Sequence, residues 1–328
     1  MMRERTFAYA VGRIRALETK LLDNSQLVRI SEAADLTEAL AKLGETEYAP
    51  VVAGLKQPQQ FETALNAELG RVARLVRELS GDAPEFQVFL RRYDLQNLKL
   101  ILKKPTVAAS GLSSLGLWEP EWLLKRMAEG DLADFPPEIR QAVEEAQNAF
   151  TRNGDGQEID RVLDSAWFSY GFQILTAGIS PTLTRWLTAL IDLTNLRTFI
   201  RLRLIGMTPT DFDRFFIVKG QLSRDSFREL WEQPNEKVSL WLAKTPYDQI
   251  SGDQAANLNS LSRLEREFDN YLLSLMAAAK LNAFGIEPLI AYFLAKEQEV
   301  KVLRLILVGK INQVANAEIK ERLRRAYA

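Results

Sequence analysis

Neither cysteine nor histidine occurs among the 328 residues. Without cysteine there is no disulfide, no thiolate nucleophile and no zinc–thiolate site. Without histidine the chain lacks the commonest general base, the commonest transition-metal ligand and the Ser-His-Asp triad in its usual form. Carboxylate or lysine chemistry stays open, but the field of enzymes narrows sharply, and no cofactor or metal site is expected. An excess of one charge is missing too. Against 43 Asp+Glu stand 42 Lys+Arg, a net −1, without the clustered basic excess of a nucleic-acid binder. Long apolar runs are also absent. The least charged window, 165–184, contains Gly171, Gln173, Gly178 and Pro181, whereas a spanning helix needs about 20 predominantly apolar residues. It reads as a buried helix ending before Pro181. Charges interrupt each apolar run of the opening "MMRERTFAYAVGRIRALETK", unlike a signal peptide. A soluble protein without a membrane span is expected.

What is present is helical periodicity. With 47% hydrophobic and 26% charged residues the composition is that of a globular protein. A chain of 328 residues exceeds the roughly 250–300 that one core holds, so two or three packed units are expected. Phe7, Val11, Ile14, Leu17, Leu21 and Leu22 predict a first helix over 5–22. Ser31 as N-cap and Gly44 as stop predict a second over 32–43. Further helices are expected over 59–79, from Pro84 through 104, within "LWEPEWLLKRMAEGD" (117–131) with Pro120 early and Gly130 late, over 138–152 and 158–177, and after Pro181. Three short ones follow Gly206, then a long one over 257–281 and a last apolar one over 289–308. "FFIVKG" is the best strand candidate. The fold class is all-α.

One phrase recurs. "RRYDLQNLKLILKK" (91–104) returns as "ALIDLTNLRTFIRL" (189–202) and again within "YFLAKEQEVKVLRLILVGK". Asp94, Asp192 and Glu299 align; Asn97 and Asn195 fall on Val302; Lys99 and Arg197 fall on Arg304. Each copy follows a long amphipathic helix and a Pro-containing break. "ALAKLGETEY" also echoes "SLWLAKTPY", each a helix end followed by Thr and Tyr. A period near 100 residues is too long for a solenoid and predicts three helical units with pseudo-threefold arrangement, over 1–105, 106–206 and 207–328. Within a copy the acid and base lie about 140° apart on the helix, so they cannot pair with each other, though pairing between units remains open. Asn97 and Asn195 read as amides satisfied by neighbours.

Other patterns fail on inspection. "LVGKIN" has Arg304 where a phosphate loop needs glycine and Ile311 where it needs Ser or Thr. "TRNGDGQEID" puts Thr151 and Val162 where a calcium loop needs carboxylates, and reads as a linker with an N-cap. "KERLRR" alternates sign with its surroundings as a solvated last turn does. Asp211 and Asp213 read as caps of a short helix.

Tyr9, Gly12, Arg13, Arg15, Leu17, Glu18, Leu21 and Leu22, with "TEYAP" and the three phrases in order, resemble the C subunit of the V/A-type rotary ATPases, the homologue of the eukaryotic V-ATPase d subunit. The resemblance spans essentially the whole chain; Val302 departs from the amide. It implies a funnel-like protein without catalytic residues. Such a protein seats on the membrane rotor ring, receives the central shaft and lies on the cytoplasmic face. The residues alone also admit a free-standing helical scaffold, or an enzyme using carboxylates or lysines.

Overall fold

The computed structural model describes residues 2–104, 111–177, 180–250, 258 and 260–327. Among them no strand forms, and no helix is long and apolar enough to cross a membrane. The helices are α1 (Met2–Glu18), α2 (Asn24–Ser31), α3 (Leu36–Leu43), α4 (Ala49–Ala53), α5 (Phe61–Ser80), α6 (Pro84–Lys103), α7 (Pro120–Glu129) and α8 (Pro137–Asn153). They continue as α9 (Gly156–Leu175), α10 (Pro181–Leu204), α11 (Pro209–Phe215), α12 (Arg224–Glu229) and α13 (Asn235–Leu242). Last come α14 (Leu261–Ala277), α15 (Glu287–Ile311) and α16 (Asn316–Glu321).

Local chemistry sets the boundaries, and it corrects several expectations. The first helix stops at Glu18, yet Leu21 and Leu22 are still buried in the turn beyond it. The helix expected over 32–43 begins only at Leu36; residues 32–35 form a turn, and a separate helix over Asn24–Ser31 precedes it. Asp23 caps α2 by accepting from Gln26 N–H, and Asp35 caps α3 by accepting from Glu38 N–H. Ser31 caps nothing; its hydroxyl donates to Val28 O at 2.7 Å. Asp155 caps α9. Asp211 accepts as the third-residue partner of the Thr208 cap, whereas Asp213 pairs with Arg228 instead of capping. "FFIVKG" forms the end of α11 and a turn. The helix expected over 257–281 runs over Leu261–Ala277 with a 3-10 turn at Ala278–Leu281; residues 257 and 259 lie outside the described ones. Within "KERLRR" Lys320, Glu321, Arg322 and Arg325 are exposed as expected, but Arg324 is buried and pairs with Asp269 at 3.0 Å.

The chain divides into two compact units. One comprises Met1–Ser80, Thr188–Phe216 and Gly220–Ala328; the other comprises Gly81–Leu187 and Ile217–Lys219. In the first, α15 is apolar around its full circumference from Leu289 to Ala295, and all of those residues are buried. A helix apolar on every side must be surrounded; α5 packs along it, with α1, α2, α3 and α14 around. A second cluster of the same unit gathers Phe199, Phe212, Phe227 and Trp231 between α10 and α11–α13, with Phe199 and Phe227 ring centroids 5.2 Å apart. In the other unit α9 packs against α6 and α8. Trp167 Nε1 donates to Val88 O at 2.9 Å, and Trp118 stacks on Phe135 at 4.5 Å.

Candidate functional site

The three acids of the recurring phrase are all buried: Asp94 and Asp192 fully, Glu299 to 5% exposure. None pairs with its own phrase's base. Each accepts a main-chain N–H from a turn that is distant in sequence. Asp94 Oδ1 accepts from Trp118 N at 3.1 Å. Asp192 accepts from Gln221 N and Leu222 N, both at 2.9 Å. Glu299 Oε2 accepts from Leu22 N at 2.6 Å. An ionised carboxylate accepts only, and hydrogen bonds to charged acceptors are among the strong ones, so each acid pins a turn to a central helix.

Backbone must come close for that. Gly116 and Gly220 each stand two residues before the amide that is held, and a Cβ on either would lie 2.0 Å from the aspartate oxygen. Only glycine permits the approach. At the third joint the equivalent position is Lys20, and the acid is glutamate, one methylene longer. The longer side chain spans what glycine spans at the other two.

Two of the joints are completed by tyrosine. Thr46 donates to Leu43 O at 2.7 Å and accepts from Tyr48 N at 3.2 Å. Thr245 does the same with Leu242 O and Tyr247 N, at 2.7 and 3.2 Å. This hydroxyl-braced turn carries Tyr48 OH to Glu299 at 2.8 Å and Tyr247 OH to Asp192 at 2.5 Å. Burial, then the charge of Glu299, pushes the Tyr48 hydroxyl well above the ordinary tyrosine range, so it remains a donor. Asp94 is completed instead by Arg91, at 3.1 Å, whose guanidinium lies 4.3 Å from the Trp118 ring centroid. Burial raises Asp94 to about 6 against the opposing pull of Arg91 and the amides of 117 and 118. Asp192 is raised by burial as well, opposed by Tyr247.

The Glu299 joint brings the two ends of the chain together and is the most heavily charged. Lys296, 2% exposed, donates to Glu299 at 2.5 Å and lies 3.7 Å from Glu68, which holds Arg71 at 2.8 Å. The four charges cancel, which is what makes their burial tolerable. Nearby, Arg15 forks onto the carbonyls of Ala279, Lys280 and Asn282 at 2.8–3.0 Å. Lys310 donates to Ser31 O and Ala33 O at 2.7 and 2.5 Å.

The remaining phrase residues separate. Asn97, fully buried, donates to Ser113 O and accepts from Ser113 N, both at 2.8 Å. Asn195 and Val302 are buried too. Lys99 pairs with Asp164 at 2.5 Å and Arg304 with Glu62 at 2.8 Å, each acid lying on a long helix remote in sequence from its base. Arg197 is exposed. Sequence reasoning saw the Thr-x-Tyr echo but missed that its tyrosines meet the phrase acids, and it missed Gly116, Gly220 and Lys296. The glycines were findable, because each follows its acid by 22 or 28 positions, a spacing the internal alignment makes visible.

Among the described residues no group of three Asp or Glu is arranged to hold a metal ion. The buried acids here are saturated by amides, hydroxyls and ammonium groups. They define an all-α chain whose chemistry is used to lock helices together. A profile of the family described as ATP synthase (C/AC39) subunit matches residues 10–322. The chain is 25% identical to the C subunit of the A-type ATP synthase of Methanocaldococcus jannaschii, over 97% of its own length and 86% of the relative's. It is 25% identical to the C subunit of the V-type sodium ATPase of Enterococcus hirae, over 96% and 97%. Against the C subunit of the A-type ATP synthase of Methanosarcina acetivorans the identity is 27%, over 97% and 92%. The chain belongs to the ATP synthase (C/AC39) subunit family, and is an accessory, non-catalytic subunit.

Proposed function

We infer that the chain is the central-rotor subunit that links the shaft of a V/A-type ATPase to its membrane rotor ring, coupling ATP hydrolysis or synthesis to proton or sodium transport. It works on the cytoplasmic face of the membrane, with ring and shaft subunits as partners. The observation that carries this reading is the family match across 10–322, joined to the buried acid joints. An adaptor between a shaft and a ring of many identical subunits has to be stiff. Close-packed interiors transmit strain because they compress little, and each acid joint fixes a turn to a helix without chemistry of its own. Three related units, 1–105, 106–206 and 207–328, are part of the reading. The Thr-x-Tyr turns shared by 1–105 and 207–328 and the matching roles of Asp94, Asp192 and Glu299 support it. In an experimental structure Asn97, Asn195 and Val302 should coincide when the units are superposed; positions that scatter refute the triplication.

The function is tested in a reconstituted complex lacking only this chain. The soluble head should still hydrolyse ATP, while ion pumping is lost and the head detaches from the membrane sector. Full ATP-driven ion transport without the chain refutes the assignment.

A further inference from the structure

The bases of the recurring phrase are neutralised within the chain on α6 and α15 but not on α10. On α6, Lys99 and, one turn on, Lys103 pair with Asp164 and Asp160 at 2.5 and 2.6 Å. On α15, Arg304 pairs with Glu62 at 2.8 Å, and the next position is the apolar Val308. The matching residues of α10 are Arg197 and Arg201. Both are exposed, and neither has a hydrogen-bonded or ion-paired partner among the described residues.

The same face of α10 is apolar at its end. Counting about 100° per residue, Leu190, Thr194, Arg197, Arg201, Leu204 and Ile205 fall within one stripe. Leu204 is 53% and Ile205 64% exposed, and Met207, past the left-handed Gly206, is 40% exposed. Beside Arg197 lies a recess of about 140 Å³ whose walls include Leu190, Leu193, Phe268 and Leu272, room for one ring-sized side chain. Its acids do not satisfy both arginines. Asp269 is held by Lys301 and Arg324, and Glu265, the other acid of the recess, leaves at least one guanidinium unmatched.

We propose that this face of α10 is a docking surface for an acidic amphipathic helix of a partner protein, its carboxylates one turn apart on Arg197 and Arg201 and its apolar residues on Leu204 and Ile205. The proposal rests on the adaptor reading above. Guanidinium groups at i and i+4 stand about 5–6 Å apart at Cβ, the spacing of two carboxylates on a facing helix. A protein helix fits better than a phosphate-rich surface, because the stripe carries exposed Leu204 and Ile205 and borders a recess with apolar walls, which apolar side chains can cover and phosphates cannot.

The test compares wild type, R197E/R201E and R197A/R201A in the assembled ATPase. Helicity and melting temperature of both variants should match wild type, since neither arginine is paired. Co-purification with the complex should weaken at least about tenfold for the reversal and lose its salt dependence, with the alanine variant between. A photo-cross-linker at position 204 should capture a peptide with acids at i and i+4, and exchanging those acids for arginine should rescue R197E/R201E. Undiminished co-purification of R197E/R201E, with wild-type salt dependence, overturns the inference while leaving the adaptor reading intact. So does cross-linking to lipid, with loss of flotation on phosphatidylglycerol vesicles as the variant's only defect. If wild type itself fails to co-purify, the adaptor reading fails and the docking surface falls with it.

Discussion

Tyr48 donates its hydroxyl to Glu299 at 2.8 Å across 251 positions of sequence, as Tyr247 does to Asp192 across 55. The first of these contacts joins the two ends of the chain with no peptide linkage nearby. It is therefore the joint in which side-chain chemistry matters most, and there Lys296, Glu68 and Arg71 are added.

Glu299→Gln leaves the buried Lys296 ammonium without its nearest counter-charge. Breaking one partner of a buried pair destabilises by about 3–5 kcal/mol. Tyr48→Phe removes one hydrogen bond to a charged group and should destabilise by about 1.5–3 kcal/mol. Urea unfolding, read by circular dichroism, should rank the two in that order; an unchanged midpoint for Glu299→Gln contradicts the joint.

Gly220→Ala and Gly116→Ala should each destabilise by roughly 1–3 kcal/mol, the range for forcing atoms into a packed site, because the new Cβ meets a pinned aspartate. Gly12 is the control. It sits on an exposed face of α1 with nothing within 4 Å of a Cβ, so Gly12→Ala should stabilise by about 0.4–1 kcal/mol. Equal effects at all three positions count against close approach as the reason for glycine.

Asp94, raised by burial to about 6 from an ordinary 3.8, sets a pH dependence. The folded chain binds this proton more tightly than the unfolded chain. Its contribution is fully present below the unfolded value and is lost as pH rises through about 6. Asp94→Asn removes the titration but keeps a carbonyl for Trp118 N–H. The stability of wild type relative to Asp94→Asn should rise by roughly 2–3 kcal/mol between pH 7 and pH 4. A flat difference in denaturant melts over that range refutes the raised value.

The pure chain should not bind ATP. Arg304 and Ile311 occupy the positions where a phosphate loop needs glycine and a hydroxyl, and "LVGKIN" is the last turn of α15 and its exit. Isothermal calorimetry at micromolar concentration should show no saturable heat; a stoichiometric isotherm contradicts the accessory role.

Period and punctuation were enough to read the helices. Apolar residues at three- and four-residue spacing, prolines in the first turns of α6, α7, α10 and α15, and glycines after α7 and α8 mark most elements within a few residues. The sequence alone also determined the threefold recurrence of acid and base, with the amide in two of the three copies, because the spacing of these residues is read directly along the chain. It determined too that histidine and thiol chemistry are absent.

What an acid at such a position meets depends on where distant segments lie, and only the tertiary structure decided that. Nothing in "EQEV" says that Glu299 receives the amide of Leu22 and the hydroxyl of Tyr48, since those partners precede it by 277 and 251 positions. Tertiary packing likewise made 32–35 a turn between α2, which ends at Ser31, and α3, which begins at Leu36. Asp35 competes for the backbone as a cap, while Ala33, Leu36 and Leu40 all reach the core. Periodicity measures which face of a helix is apolar; it carries no information about the main-chain amides that a buried carboxylate must find, because those belong to whichever turn the fold brings beside it.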